Sequence, residues 1–276
     1  MGLYHATEIP RLHRPSIATF RRDYVALGIP AILTGVTDDW AASRWTLESL
    51  RAELGDVRID VQKRPKGNGT APERTESMTV REYLDLACSD RDDRRHYYFT
   101  TSRIPAEFER ALGSIPYALG DHRAPSLFFM GCESFTRLHF HPEGDAFTCQ
   151  FAGNKRFVLY PPDQSRHLHM TPFAPLSGVI DPEKADPRKF PNLRHARGIE
   201  CELRAGEVMF IPIHWWHVVY GSEFNLSVLY PSQVSSWTRI WLPPVGWRGT
   251  AGVAARRLRV LEIAGYVAYR LQSVRR

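Results

Sequence analysis

Two hydrophobic rhythms divide this chain. Up to about residue 90, stretches with helical spacing alternate with short strands. Ile17, Phe20, Tyr24 and Leu27 recur three or four apart between Ser16, a good N-cap, and Gly28, which predicts a helix over 16–28. Residues 30–33 are a short apolar run closed by Thr34 and Gly35, read as a buried strand. An amphipathic helix is expected over 46–54, ending at Gly55, and the alternation over 58–61 reads as a strand. Residues 64–77, rich in Gly, Pro, Lys and Thr, read as a mobile loop, after which Thr79 caps a helix running to about Ala87.

From residue 96 the rhythm changes. Short apolar or aromatic runs, separated by Gly, Pro and Asp, fall at 96–100, 126–131, 135–141, 147–151, 155–160, 200–203, 207–211, 216–220 and 225–230. So many short strands in one region predict a β-barrel or jelly roll with flanking helices. The span 163–198 interrupts them as a long irregular insertion containing Pro172, Pro175, Pro182, Pro187 and Pro191. Long ordered loops of this kind often cover binding sites. The expected organisation is one domain over 1–248 with its β core at about 96–232. A basic amphipathic helix over 249–276 follows, with an apolar stripe of Val253, Leu258, Leu261 and Val267 flanked by Arg256, Arg257 and Arg259.

Composition narrows the class. The chain has 276 residues, 43% hydrophobic and 24% charged, the mix of an ordinary globular protein. Its net charge of +6 allows an acidic small substrate or an acidic protein surface. Without a clustered basic face it does not indicate nucleic acid. Cys88, Cys132, Cys149 and Cys201 are scattered and form no C-x-x-C pair, which fits reduced thiols and a cytoplasmic location. No signal peptide is visible at the N-terminus, and no apolar run approaches the ~20 residues that span a bilayer.

The candidate chemistry lies in the strands. Thr136-Arg137-Leu138-His139-Phe140-His141-Pro142-Glu143 puts two histidines two apart, on one face if the strand is regular. Gly206-Glu207 through Ile211-Pro212 leads to Trp215-Trp216-His217, which supplies a third. An H-x-(D/E/H) pair with a distant His suits a facial three-ligand metal site with open positions.

These fragments, in this order, resemble the JmjC or cupin-like Fe(II)- and 2-oxoglutarate-dependent oxygenases. The likeness covers most of residues 8–232. Residues 30–35 followed by Asp39-Trp40 and Trp45 resemble that family's N-terminal opening, and Thr136 to His139 resembles its T-x-x-H. Gly153-Asn154-Lys155-Arg156 with Leu159-Tyr160-Pro161-Pro162 resembles G-x-K-R…L-F/Y-P-P, and residues 206–217 resemble G-D/E-x-x-F-x-P-x-x-W-W-H. The resemblance implies a double-stranded β-helix. It also implies Fe(II) held by His139 and His217, with 2-oxoglutarate as cosubstrate. Lys155 would face the distal carboxylate, helped by Thr136 and by Tyr97 or Tyr98, Tyr98 being preferred. Such an enzyme couples oxidative decarboxylation of 2-oxoglutarate to hydroxylation of a C–H bond, in this branch mostly on protein or peptide side chains, with small molecules a minority.

One position departs from the pattern. The family has Asp or Glu two residues after the first histidine, and this chain has His141. Either His141 is the third ligand, or His141-Pro142-Glu143 is the true H-x-E pair, or Asp145 swings in. Three neutral ligands also suit Zn, Ni or Cu. Two other functions follow from the missing carboxylate: a metal-poor cupin-like binding protein, or a three-histidine dioxygenase that does not use 2-oxoglutarate. His214 reads as a turn residue and minor ligand candidate, His167 and His169 as surface-loop residues, and Trp215 and Trp216 as packing. No membrane role is expected. Relatives in this branch often pair through C-terminal helices, so a homodimer is expected.

Overall fold

The computed structural model describes residues 8–63, 74–90, 96–120, 125–171, 175–221 and 223–235. The basic segment 249–276 lies outside them, as does 64–73 of the expected loop. The chain opens with β1 (Arg11–His13), α1 (Ile17–Phe20), β2 (Ala31–Thr34), α2 (Leu47–Glu53), β3 (Arg58–Lys63), β4 (Arg74–Thr79) and α3 (Val80–Ala87). Ser16 caps α1 through its side chain, and the helix continues as a π turn over Arg21–Val25 before Gly28, at φ +65°, ends the segment. Both α2 and α3 start with a capping box, from Thr46 with Ser49 and from Thr79 with Glu82.

The nine expected strands are all present: β5 (Tyr97–Thr101), β6 (Leu127–Cys132), β7 (Phe135–His139), β8 (Asp145–Ala152), β9 (Lys155–Tyr160), β10 (Ile199–Leu203), β11 (Glu207–Ile211), β12 (Trp216–Gly221) and β13 (Phe224–Ser232), with the short α4 (Ala106–Glu109) after β5. Two corrections concern the N-terminal half. β1 was not foreseen, and residues 74–77, read as loop, belong to β4, which pairs with all of β3. Its side chains are largely exposed, so the half-buried alternation that marks a strand is missing.

Two sheets face each other. The larger runs β1-β2-β11-β8-β13-β6-β5-β3-β4 and the smaller β10-β9-β12-β7. The strands of the barrel are antiparallel and shared between the two sheets, giving the expected mainly-β jelly roll. Strand parity sorts the side chains. Phe147, Cys149 and Phe151 of β8 point outward with Leu226, Val228 and Tyr230 of β13, and pack under Phe20, Trp45, Leu50 and Leu84 of the N-terminal helical layer. A second cluster, including Phe157, Leu159, Met209, Ile211 and Trp215, lies between the sheets. A third, Leu138, Phe140, Tyr160, Trp216 and Val218, covers the outer face of the small sheet.

The insertion folds onto that outer face. It contains short 3-10 turns at Pro162–Arg166, Pro182–Lys184 and Pro191–His195 but no strand or α-helix among its described residues. Leu168, Met170, Leu193 and Ala196 bury against the third cluster. Residues 175–180 run beside β7: Leu138 N–H donates to Ile180 O, Ser177 N–H to Leu138 O and Phe140 N–H to Pro175 O. This segment satisfies an otherwise open sheet edge.

Candidate metal centre

Strand register gathers the polar groups inside the barrel. His217 on β12 lies opposite His139 on β7, and Val219 lies opposite Thr136, with a bulge between. Two residues of β7, Arg137 and Leu138, therefore oppose the single Val218 of β12. Regular alternation would turn Thr136 and His139 to opposite faces; the bulge brings both to the face of His217 and Val219, inside the barrel. This is the structural reason that T-x-x-H spacing works here.

β7 ends at His139, so His141 does not sit on a strand as expected. It is held instead by its neighbours. Its carbonyl accepts the His214 N–H at 3.1 Å, and Phe140 packs under Trp216 with ring centroids 4.7 Å apart. The three imidazoles converge all the same. Ring centroids are 4.1 Å apart for His139 and His217, 4.8 Å for His141 and His217, and 5.4 Å for His139 and His141. One nitrogen from each lies within 4.8 Å of the others.

Two of the rings are oriented from behind. The Nδ1 atoms of His139 and His217 lie 2.8 Å from Arg137 O and 3.0 Å from Trp215 O. A backbone carbonyl accepts only from N–H, so these contacts place the proton on Nδ1 and leave each Nε2 lone pair free. Burial pushes the pKa of His139 below its ordinary value and that of His217 well below it. His141 is held down to about 3, by burial first and by His139 second. The trio is therefore neutral at physiological pH, the state in which imidazole donates to a metal.

The carboxylates do not join them. Glu143 is exposed. Asp145 is buried at the start of β8, and its Oδ1 accepts the Ile213 N–H at 2.7 Å, which fixes the turn before Trp216 and His217. Both alternatives to His141 thus stay outside the cluster. His214 also stays outside the trio; it occupies that turn at φ +67° with its ring against Phe140. Trp216 is fully buried and donates Nε1–H to Ser165 Oγ at 2.7 Å, a packing role as expected.

At the other end of the barrel stands Lys155. It is 5% exposed, and its Nζ donates to Ser227 Oγ at 2.5 Å across the gap between the sheets. No carboxylate pairs with it among the described residues. Burial lowers its pKa to about 7. Tyr98 shares the inner face with Gly131 and Phe129, while Tyr97 belongs to the outer core, so Tyr98 is the inward member of the pair. Asn225, Ser227 and Gln150 also face inward and were not singled out from sequence. The available signal was polar alternation, Asn225 and Ser227 alternating with the apolar Phe224, Leu226 and Val228.

A family described as a cupin-like domain matches residues 17–230. The bifunctional arginine demethylase and lysyl-hydroxylase psr-1 of Caenorhabditis briggsae is 32% identical over 256 residues, covering 80% of this chain and 61% of that protein. Lysine-specific demethylase 8 of Xenopus tropicalis is 28% identical over 236 residues, covering 81% of this chain and 52% of that protein. The tRNA wybutosine-synthesizing protein 5 of Gallus gallus is 25% identical over 244 residues, covering 81% of this chain and 76% of that protein. The chain thus spans about three fifths of psr-1 and about half of the demethylase. With this match over most of its length and a jelly-roll barrel around an inward histidine trio, the chain belongs to the cupin-like family.

Proposed function

We propose that this protein is a 2-oxoglutarate-dependent hydroxylase with an all-histidine iron site, acting on a protein or peptide side chain. The observation that carries this reading is the pairing of two features on one inner surface: a neutral histidine trio at one level and, at another, a buried lysine with no carboxylate partner among the described residues. Leu159 is the register partner of His217, and Lys155 that of Gly221. Four strand residues, about 13 Å at ~3.3 Å each, separate the two levels. A short dicarboxylate bound at the histidine level would point its far carboxylate toward Lys155.

The division of labour follows from the donor set. His139, His141 and His217 would hold Fe(II) on one side through neutral nitrogens, leaving the other side for ligands. Iron with 2-oxoglutarate supplies the oxidising chemistry when bound; the protein supplies position, charge and a dry cavity. Lys155 compensates the distal carboxylate, whose burial without a cation would be prohibitive. The Thr136 hydroxyl and the Tyr98 phenol face the same interior and can donate to that carboxylate. Asp145 and the backbone carbonyls behind His139 and His217 hold the scaffold still.

Three neutral ligands leave the site one charge more positive than the family pattern does, which strengthens its hold on a dianionic cosubstrate. A three-histidine dioxygenase without 2-oxoglutarate leaves the buried Lys155 unexplained. The names of the relatives support arginine and lysine side chains as the class of target, with a tRNA base as the outlier. The test is coupled turnover. With Fe(II) and ascorbate the protein should convert 2-oxoglutarate to succinate, and His217→Ala should abolish it. A candidate peptide is a substrate when its mass gains one oxygen atom in step with succinate. Iron-loaded protein that binds 2-oxoglutarate yet releases no succinate would make it a binding protein instead.

A further inference from the structure

The insertion presents a basic platform that the proposed chemistry leaves unused. Arg166, Arg188, Lys189, Arg194 and Arg197 are all exposed, and none forms an ion pair among the described residues. The acids of the same segment are engaged. Asp181 accepts the Tyr220 hydroxyl at 2.7 Å and pairs with Lys184, and Glu183 pairs with Arg156 at 2.6 Å. Asp186 accepts the Arg188 N–H at 2.8 Å. Asp163 accepts from the Gln164 amide at 3.3 Å and lies near His167.

Two of the 3-10 turns bring Arg166, Arg194 and Arg197 together. The His167 and His195 rings lie 5.7 Å apart, and Arg197 N–H donates to Gln164 Oε1 at 3.0 Å. Arg166 Nε donates to His167 Nε2 at 3.0 Å, and Arg194 Nε to His195 Nε2 at 3.1 Å. Both guanidinium forks are thereby oriented, and their terminal nitrogens donate no hydrogen bond among the described residues. The platform is anchored, because Leu168 and Leu193 bury beneath it. It also sits at the right end of the barrel: the insertion leaves β9 after Tyr160, the register partner of Trp216, one residue before His217. Leu176 bridges to His139 itself.

We infer that this platform is a substrate-docking surface for an acidic peptide segment, which steers carboxylate-rich chains toward the histidine trio and disfavours lysine- and arginine-rich ones. The inference rests on the hydroxylase reading for its purpose but not for its test. Charge complementarity names the partner. The patch, built from two short turns, matches a few side-chain carboxylates rather than the continuous basic track that a nucleic-acid strand needs.

The test is fluorescence anisotropy with three labelled probes: a Glu-rich peptide, a Lys-rich peptide and a single-stranded RNA of similar length. The Glu-rich peptide should bind tightest, weakening with salt as an exposed ionic contact must. The triple variant Arg166→Ala/Arg194→Ala/Arg197→Ala should weaken it at least about tenfold. Melting and peptide-independent 2-oxoglutarate consumption should stay unchanged, since these exposed residues touch neither core nor metal centre. Tighter binding of RNA or of the Lys-rich peptide overturns the inference, as does an unaffected triple variant. Acidic-peptide binding by a protein inactive on 2-oxoglutarate would retain the surface and reject the hydroxylase.

Discussion

Replacing Lys155 by methionine should have opposite effects on the fold and on cosubstrate binding. The side chain is 5% exposed, and Ser227 Oγ is its hydrogen-bond partner. Without a ligand, the buried ammonium weakens the fold at neutral pH, because the free protein must hold or release a proton there. Its pKa is about 7 when folded against an ordinary 10.5. A lysine with a lowered folded pKa makes stability rise with pH between those two values and leaves it level below pH 7. Methionine keeps the bulk and removes the charge. The ligand-free variant should therefore be more stable by about 1–3 kcal/mol at pH 7, a rise of about 2–4 °C in melting temperature per kcal/mol for a domain of this size.

Cosubstrate binding should move the other way. The distal carboxylate would lose the Lys155 cation in a desolvated site, a loss of about 3 kcal/mol, or roughly a hundredfold in Kd. pH adds a second signature. Above pH 7 the free protein must take up a proton to bind the dianion, so wild-type affinity should fall about tenfold per pH unit up to pH 9. In the variant that slope should vanish. Calorimetric titration of metal-loaded protein with 2-oxoglutarate from pH 6.5 to 9 reads both effects. An unchanged Kd, or a pH slope that persists without Lys155, would refute the assignment.

Other changes probe the remaining parts. His141→Ala should weaken metal binding at least about tenfold, read by competition with a chromogenic chelator, while Glu143→Ala should leave it unchanged. Asp145→Ala removes the acceptor for the buried Ile213 N–H, costing about 1–3 kcal/mol in a denaturant melt. At Gly153, φ is +63° and a Cβ would clash with the Phe224 carbonyl oxygen. Gly153→Ala should therefore cost about 2 kcal/mol or more and shift the hairpin that delivers Lys155, weakening 2-oxoglutarate binding as well. The apolar stripe of 250–271 is proposed to build a homodimer: light scattering should give a dimer for the full chain and a monomer after truncation at Trp247, and a full-length monomer at micromolar concentration defeats it.

The barrel was legible because its strands are short, apolar and separated by breakers, so all nine core strands were placed to within a few residues of their observed ends. β4 was not, because an edge strand with exposed side chains carries no alternation. The histidine trio followed from motif order, but the reason for its geometry did not. Strand alternation alone would turn Thr136 away from His139, and only pairing with β12 reveals the bulge that corrects it. Likewise Asp145 was open as a ligand because sequence does not show that the Ile213 N–H, far along the chain, claims its carboxylate. Tyr98 over Tyr97 was decided by register with Gly131. Ser227 went unnoticed, since nothing local marks a serine as the partner of a lysine on the opposite sheet.

The most direct test of the central claim is an anaerobic titration of Fe(II)-loaded protein with 2-oxoglutarate, followed by visible absorption. If His139, His141 and His217 hold iron with two adjacent positions open, chelation by the keto acid should produce a metal-to-ligand charge-transfer band that saturates with one equivalent of each. The band should be lost in His217→Ala, and in Lys155→Met it should appear only at much higher 2-oxoglutarate. Iron that binds without the band, or a band that survives His217→Ala, would contradict the account.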